Sequence, residues 1–341
     1  MMVPRCYGGQ EADLDTFFEV MLILSRADAS TGWLVAFYVE HAFWFCGFPE
    51  DFQKEIFSKR PYVLAPATLN VTGGTADVVE GGYRLSGTWQ WGTGINHASW
   101  VLVGAPAKDD DGNSAPLFFA LPRDEVEAID TWHVAGMCST GSFDIKIDDV
   151  FVPNAHVVPM MDLLNATSAS QIHDGPLYRT PLVPILGFAS ALSMLGAAQG
   201  ALEEYQTQMK VKIAANELRG GSPIIKDTKP SVVAAAALNL EASELMLRDV
   251  LQDVMTHRND ASRELRGSWM SRMSHAVIMC RSAVQDIVSV TGASGSRLDS
   301  PIQKALRDIS TGSNHLIFDR EARYADYGRT LLGQPVKSML V

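Results

Sequence analysis

The sequence predicts an α+β fold in which helices at both ends flank a central β domain. Three observations carry that prediction. Between residues 11 and 60 apolar side chains recur at spacings of three and four, as Leu14, Phe17, Phe18, Met21, Leu22 and Leu24 do. Residues 61–155 change to alternation and to Gly, Thr and Val. From about residue 182 the helical spacing returns and persists. The expected division is an N-terminal helical domain over 1–60, a β domain over 61–155 and a C-terminal helical bundle over 156–341.

In the first region Asp28 to Thr31 reads as polar punctuation between two helices, the second running from Trp33 to Phe45. Pro49 breaks it, and a short helix over 51–57 follows. In the β region, Phe143, Ile145 and Ile147 alternate with Asp144, Lys146 and Asp148, the mark of a half-buried strand. Two further strands, over 100–105 and 116–121, are joined through the acidic run 108–114. That run lacks a closing Glu at calcium-loop spacing and reads as a hairpin turn. Residues 154–180, ending in Pro181 and Pro184, read as a surface linker. Helices are then expected over 182–218, stopped by Gly220-Gly221, and over 231–257 and 263–291, with Gly292 as a cap. Ser300-Pro301-Ile302-Gln303 starts a fourth with an N-cap, a proline at the first helical position and a capping-box Gln.

The 341 residues carry a formal net charge of −11 and are 47 % hydrophobic. Length alone suggests about two domains or one composite fold. The acidic balance speaks against nucleic-acid binding and against docking on anionic lipid. Cys6, Cys46, Cys138 and Cys280 show no metal-ligand or disulfide spacing, so no metal site is expected. They read as small hydrophobes of a cytoplasmic protein. The uncharged stretch between Arg179 and Glu203 is long enough to span a bilayer, but its Pro, Ser, Gln and small residues fit a buried helix better.

No phosphate-binding Gly loop, HExxH or GxSxG is present. The segment 87–100 packs three Trp among small residues and Thr93. It suits a planar heteroaromatic ligand, and equally an aromatic β core. His315 and His41 read from the residues alone as ordinary cap or core histidines.

Taken in order, Tyr7-Gly8-Gly9, Val71-Thr72-Gly73, Trp91-Gly92-Thr93-Gly94, Gly136-Met137-Cys138-Ser139-Thr140-Gly141-Ser142, Asp149-Val150-Phe151-Val152-Pro153 and Arg307-Asp308 resemble the acyl-CoA dehydrogenase superfamily over nearly the whole chain. More narrowly they resemble its two-component flavin-dependent monooxygenase branch. The resemblance implies shortened N-terminal helices, a middle β-barrel domain and a C-terminal four-helix bundle. It implies a cytoplasmic homotetramer that takes reduced FMN or FAD from a separate NAD(P)H-dependent flavin reductase. With O2, through a flavin C4a-hydroperoxide, such an enzyme oxygenates a small aromatic or phenolic substrate.

The same resemblance assigns residues. Thr93 would face the flavin N5, with Thr72 and Trp91 against the ring. Gly292, Ser294 and Arg297 would reach the flavin of a neighbouring subunit. His41 would hold or deprotonate the substrate, with Tyr38, Phe43 and Trp44 lining its pocket. His315 would handle the peroxide proton. Asp308 is expected to pair structurally with Arg307, and Cys138 stands where relatives often have Arg. Many acyl-CoA dehydrogenases carry a catalytic Glu after the Arg-Asp pair, whereas here 309–315 holds no carboxylate. The alternatives are an FAD-dependent dehydrogenase with a relocated base and a flavin-fold protein without catalysis.

Overall fold

In the computed structural model the described residues are 1–108, 114–222 and 229–338. Three helices open the chain: α1 (Leu14–Ala27), α2 (Ala29–Trp44) and α3 (Glu50–Phe57). α2 starts four residues earlier than the apolar pattern suggests. Asp28 is its N-cap, accepting from the Thr31 N–H at 2.8 Å, so the polar stretch is the helix's first turn.

Eight strands follow: β1 (Ala67–Thr68), β2 (Gly74–Val79), β3 (Gly82–Gly92), β4 (Trp100–Lys108), β5 (Ser114–Pro122), β6 (Glu127–Ile129), β7 (Phe143–Pro153) and β8 (Val157–Pro159). They form one mixed sheet in the order β6-β7-β3-β2-β4-β5-β8, with β1 parallel to β4. The 109–113 part of the acidic run lies outside the described residues; β4 and β5 on either side pair antiparallel. The expected barrel is thus a curled sheet with β6 and β8 as its ends. Alternation divides its side chains between two cores. Val101, Val103, Phe119 and Leu121 join Leu85, Trp89, Ile145 and Ile147 inside the sheet. Leu102, Phe118 and Ala120 face the helices.

The segment 154–180 is not a surface linker. It contains β8, α4 (Met160–Leu164) and α5 (Thr167–Ile172). Leu163, Leu164, Leu177 and Tyr178 are buried, and the Tyr178 hydroxyl donates to the Met2 carbonyl at 3.0 Å. Its apolar residues outweigh its prolines.

The C-terminal helices are α6 (Leu182–Leu218), α7 (Pro230–His257), α8 (Arg263–Ser289), α9 (Pro301–Gly312) and α10 (Arg320–Leu331). α8 ends short of Thr291, and Gly292 lies beyond its cap at φ +70°. Ser300 caps α9 as expected, accepting from the Gln303 N–H. α6 is long and apolar enough to cross a membrane, yet 94 % of its most apolar window is buried inside the protein. Its Gly196 and Gly200 admit α1 closely: a Cβ at Gly200 would stand 2.3 Å from the Arg26 carbonyl oxygen. The N-terminal helices and the bundle therefore share a single core.

A line of polar contacts ties three parts of the chain together. Lys304 on α9 bonds Asp28, the cap of α2, and Asp308, each at 2.7 Å. Asp308 also accepts the Met137 N–H at 2.6 Å, from the loop before β7. Asp308 thus pairs with Lys304 and not with Arg307, whose guanidinium goes to Gln303, Ala135 and Leu298. Gly136 is required here, since a Cβ would stand 2.0 Å from the Arg307 carbonyl oxygen.

Asp308→Ala strands the Met137 N–H in a buried place and is expected to cost about 2–4 kcal/mol. Asp308→Asn keeps an acceptor for that N–H and costs less. Thermal midpoints of the two variants check this; equal drops would assign the whole effect to the bond with Lys304.

Candidate active site

Helix α2 is the spine of the site. Trp33, Phe37 and His41 recur every four residues and so share one face. Trp33 stacks on Phe37 with ring centroids 4.7 Å apart. The imidazoles of His41 and His315 both meet Phe37 edge-on, at 5.3 Å and 6.0 Å, and His315 also meets Trp33 at 5.5 Å. The structure thus brings together the two histidines that lie 274 residues apart in sequence.

His315 precedes the short turn Leu316–Phe318. Its Nδ1 accepts from the Ile317 N–H at 3.3 Å, so a neutral ring carries its proton on Nε2. Burial pushes its pKa down to about 4, which keeps it neutral at physiological pH. His41 is 1 % exposed and likewise lowered to about 4, by burial first, with repulsion from His315 adding to it. Its Nδ1 lies 2.7 Å from the Ala65 carbonyl oxygen and its Nε2 3.2 Å from Glu40 Oε2. Nδ1 is thus held by the protein, and Nε2 has a carboxylate oxygen beside it.

Thr93 follows the end of β3 and is 8 % exposed. Its hydroxyl lies 3.0 Å from Ser142 Oγ, which lies 2.8 Å from Thr140 Oγ1, and Thr140 donates to the Met137 carbonyl at 2.9 Å. The next residue, Gly94, docks on α2: Tyr38 donates its phenol proton to the Gly94 carbonyl at 2.5 Å. Burial raises the Tyr38 pKa to about 12, so it stays a donor. Tyr38 is thus a brace between helix and strand end.

Of the other expected residues Trp44 stays with the histidine: its ring meets His41 edge-on at 5.3 Å and Phe118 at 5.2 Å, and its indole N–H bonds Glu40. The rest are spread out. Phe43 stacks on Tyr178 with ring centroids 6.0 Å apart. Two residues from His41, it lies about 200° round the helix and does not join the histidine face. Thr72 is exposed, its hydroxyl bonded to Asn70 at 2.8 Å. Gly292 and Ser294 lie on an exposed turn, where Arg297 pairs with Asp299 at 2.6 Å. Through Leu298 and Ala135, Arg307 links this turn to the loop before β7.

Three polar residues escaped the sequence reading. Ser142 and Thr140 stood within a quoted segment but without a role. Glu40 is the one carboxylate between residues 29 and 49, in an otherwise aromatic and apolar run. That isolation was the available signal, since a carboxylate is seldom buried without a partner.

The residues fit a flavin ring. The register between β3 and β7 shifts between Trp89 and Gly92, which takes Trp91 out of the buried alternation. Its indole is 54 % exposed, with Trp132 edge-on at 6.1 Å. A broad uncovered aromatic surface thus stands two residues from a buried hydroxyl. A planar heteroaromatic ring needs both, one for contact and one for a heteroatom. No carboxylate is free to act as a base in the 308–315 segment, because Asp308 is held by Met137 and Lys304.

Comparison with known proteins agrees. Residues 188–320 match the model of the acyl-CoA dehydrogenase C-terminal domain. The pigment production hydroxylase of Rhodococcus sp. (strain ATCC 21145) is 31 % identical, with 100 % of this chain and 88 % of that protein aligned. The FADH2-dependent resorcinol hydroxylase oxygenase component of Rhizobium sp. (strain MTP-10005) is 30 % identical, over 97 % of this chain and 83 % of that one. The 3-HSA hydroxylase from Rhodococcus sp. RHA1 superposes with a TM-score of 0.92 at 25 % identity, covering 100 % and 88 %. XiaF from Streptomyces sp., in complex with FADH2 and glycerol, gives 0.87 at 26 %, covering 98 % and 85 %. Fold, site and relatives agree, and the chain belongs to the flavin-dependent monooxygenase oxygenase components of the acyl-CoA dehydrogenase superfamily.

Proposed function

We propose that this oxygenase hydroxylates a small phenolic compound, with O2 as the oxygen source and reduced FMN or FAD from an NAD(P)H-dependent reductase. The observation that carries the reading is the Phe37 cluster. Two imidazoles and two aromatic rings meet on one face of α2, and the Tyr38–Gly94 bond holds the Thr93 hydroxyl chain to the same helix. The names of the relatives that act on resorcinol and p-hydroxyphenylacetate support a phenolic substrate.

Trp91, Thr72 and Thr93 would hold the flavin, which when bound supplies the activation of O2. The chain's own residues do the rest. The Thr93 hydroxyl, oriented by Ser142 and Thr140, offers a fixed bond next to the ring. His315 Nε2–H is a neutral donor, able to give or share a proton without placing a cation in an apolar site. Trp33 and Phe37 exclude water, which would otherwise protonate and release the activated oxygen unused. His41 is buried beside this wall and shapes it.

The same proposal includes a homotetramer in the cytoplasm. Exposed Val211 and Leu218 on α6, and Leu238 and Leu245 on α7, each a pair seven residues apart, give the bundle apolar faces for other copies. Four unpaired cysteines accord with a reducing compartment.

The coupling ratio tests the function. With reduced flavin, O2 and a panel of phenols, hydroxylated product and hydrogen peroxide are measured together. Wild type is expected to make product, and Thr93→Ala to shift the ratio toward peroxide about tenfold, the worth of one hydrogen bond. Peroxide alone from wild type with every phenol would sink the reading.

His315 gives a second test. Its pKa is lowered from 6.5 to about 4 in the fold. The unfolded chain therefore takes up a proton that the native chain refuses, and stability is lost as pH falls from 6.5 toward 4. Wild type should lose thermal midpoint relative to His315→Gln across that window and run parallel to it above pH 7. Parallel curves throughout would mean the imidazole is not held neutral.

A further inference from the structure

Glu40 takes no part in the chemistry so far described, yet it is fully buried against one of the two histidines. Its Oε1 accepts the Trp44 indole N–H. Its Oε2 lies 3.2 Å from His41 Nε2 and, as an acceptor, finds no hydrogen-bond donor. On the far side of the imidazole stands the Ala65 carbonyl oxygen, 2.7 Å from Nδ1.

A carbonyl oxygen can only accept, so Nδ1 must carry a hydrogen. A neutral ring then has its lone pair on Nε2, beside Glu40 Oε2. Two lone pairs at that distance in an apolar interior repel. One proton between them removes the conflict, as O–H···N or as carboxylate and imidazolium. The two atoms stand 3.2 Å apart, off the line of a formed hydrogen bond, and one proton between them would draw both into it.

We propose that Glu40 is a positioning residue for the hydroxylation: its carboxyl shares one proton with His41 Nε2, and that proton locks the imidazole against Ala65 beside Phe37. When the pair loses this proton, the remaining ring proton moves to Nε2 to meet the carboxylate. Nδ1 then turns a lone pair on the Ala65 oxygen, and the ring loses its anchor. The pair is therefore a device that holds the site in shape below a threshold pH.

The surroundings agree. Burial pushes the Glu40 pKa up to about 8, against the bond from Trp44. Burial also lowers His41, and His315, across Phe37, disfavours a second proton there. The other groups against the pair, Trp44 on α2 and Ala65 ahead of β1, do not titrate in this range, and among the described residues no lysine or arginine acts on either group. At neutral pH the shared proton belongs to the carboxyl.

The link to turnover rests on the hydroxylase reading; the shared proton does not, and the test separates them. Glu40→Gln keeps the shape and can donate an amide N–H to Nε2, but it has no proton to lose. Thermal midpoints of wild type and Glu40→Gln are measured from pH 5 to 9 without substrate. A carboxyl raised in the fold keeps a proton that the unfolded chain has released, so wild type loses stability relative to the variant as pH rises toward 8. Above 8 the curves run parallel. With a turned-over phenol, wild-type kcat/KM falls about tenfold per pH unit on the alkaline side, and the Glu40→Gln profile stays level there. A constant midpoint difference across the whole range, or an unchanged alkaline limb in Glu40→Gln, overturns the proposal. If the amide variant does not fold, Glu40→Leu serves the same two measurements with the same expectations.

Discussion

The rest of the structure depends on the burial of α2. A helix covered on nearly every side must settle each polar group it carries against a fixed partner, because an unpaired group in that interior costs free energy. Among those groups Glu40 bonds Trp44 on the helix itself, while Tyr38 and His41 take partners from other parts of the fold. Tyr38 takes the Gly94 carbonyl at the end of β3. His41 takes the Ala65 carbonyl ahead of β1. The helix therefore sets where the β domain stands, and with it where Thr93 stands relative to Phe37. A site assembled this way needs no motif in one stretch of chain. It is made of what several segments leave at one buried helix.

The same helix is held at its other end by charge. Asp28 caps α2 and bonds Lys304, which bonds Asp308, which accepts the Met137 N–H. Burial alone would raise the Asp28 carboxyl, but the bonds from Lys304 and Thr31 outweigh it and hold it below its ordinary value. A single surface ion pair contributes little. This line differs because Asp308 is buried and one of its bonds goes to a backbone amide. It fixes the loop that supplies Thr140 and Ser142, so the hydroxyl chain behind Thr93 depends on a helix cap far away in sequence.

Much of the architecture was legible because long helices and half-buried strands write their period into the sequence. α6 and α7 fall where apolar spacing and Gly220-Gly221 put them, α7 starting at Pro230, one residue before the expected 231. The segment 154–180 was misread because short helices leave no period, and its prolines were louder than Leu163, Leu164 and Tyr178. The site was legible only through resemblance. Nothing in spacing links His41 to His315, and that meeting is made by tertiary packing on Phe37. The resemblance carried over a role for His41 without its neighbour Glu40, whose Oε2 lies 3.2 Å from His41 Nε2. Phe43 and Trp44, both expected around His41, part because adjacent helical residues do not share a face: Trp44 meets His41, and Phe43 stacks on Tyr178.

The chemistry of the site follows from what burial does to its two kinds of acid. A desolvated imidazole is kept neutral, and a desolvated carboxyl is kept protonated. Both are then donors and neither is a strong base. An enzyme that removes a proton from a weak carbon acid needs the opposite, a free carboxylate close to the reacting carbon. In the 308–315 segment the carboxylate, Asp308, is spent on a backbone amide and a lysine. In α2, burial pushes the Glu40 carboxyl up to about 8, away from the free carboxylate such a base would need. Oxygen transfer to an electron-rich ring asks instead for donors that steady a leaving oxygen and for the exclusion of water. His315 Nε2–H supplies the donor and Trp33 and Phe37 exclude water, while the Thr93 hydroxyl, its proton given to Ser142, offers an acceptor; the interior that organises the fold also favours the reaction.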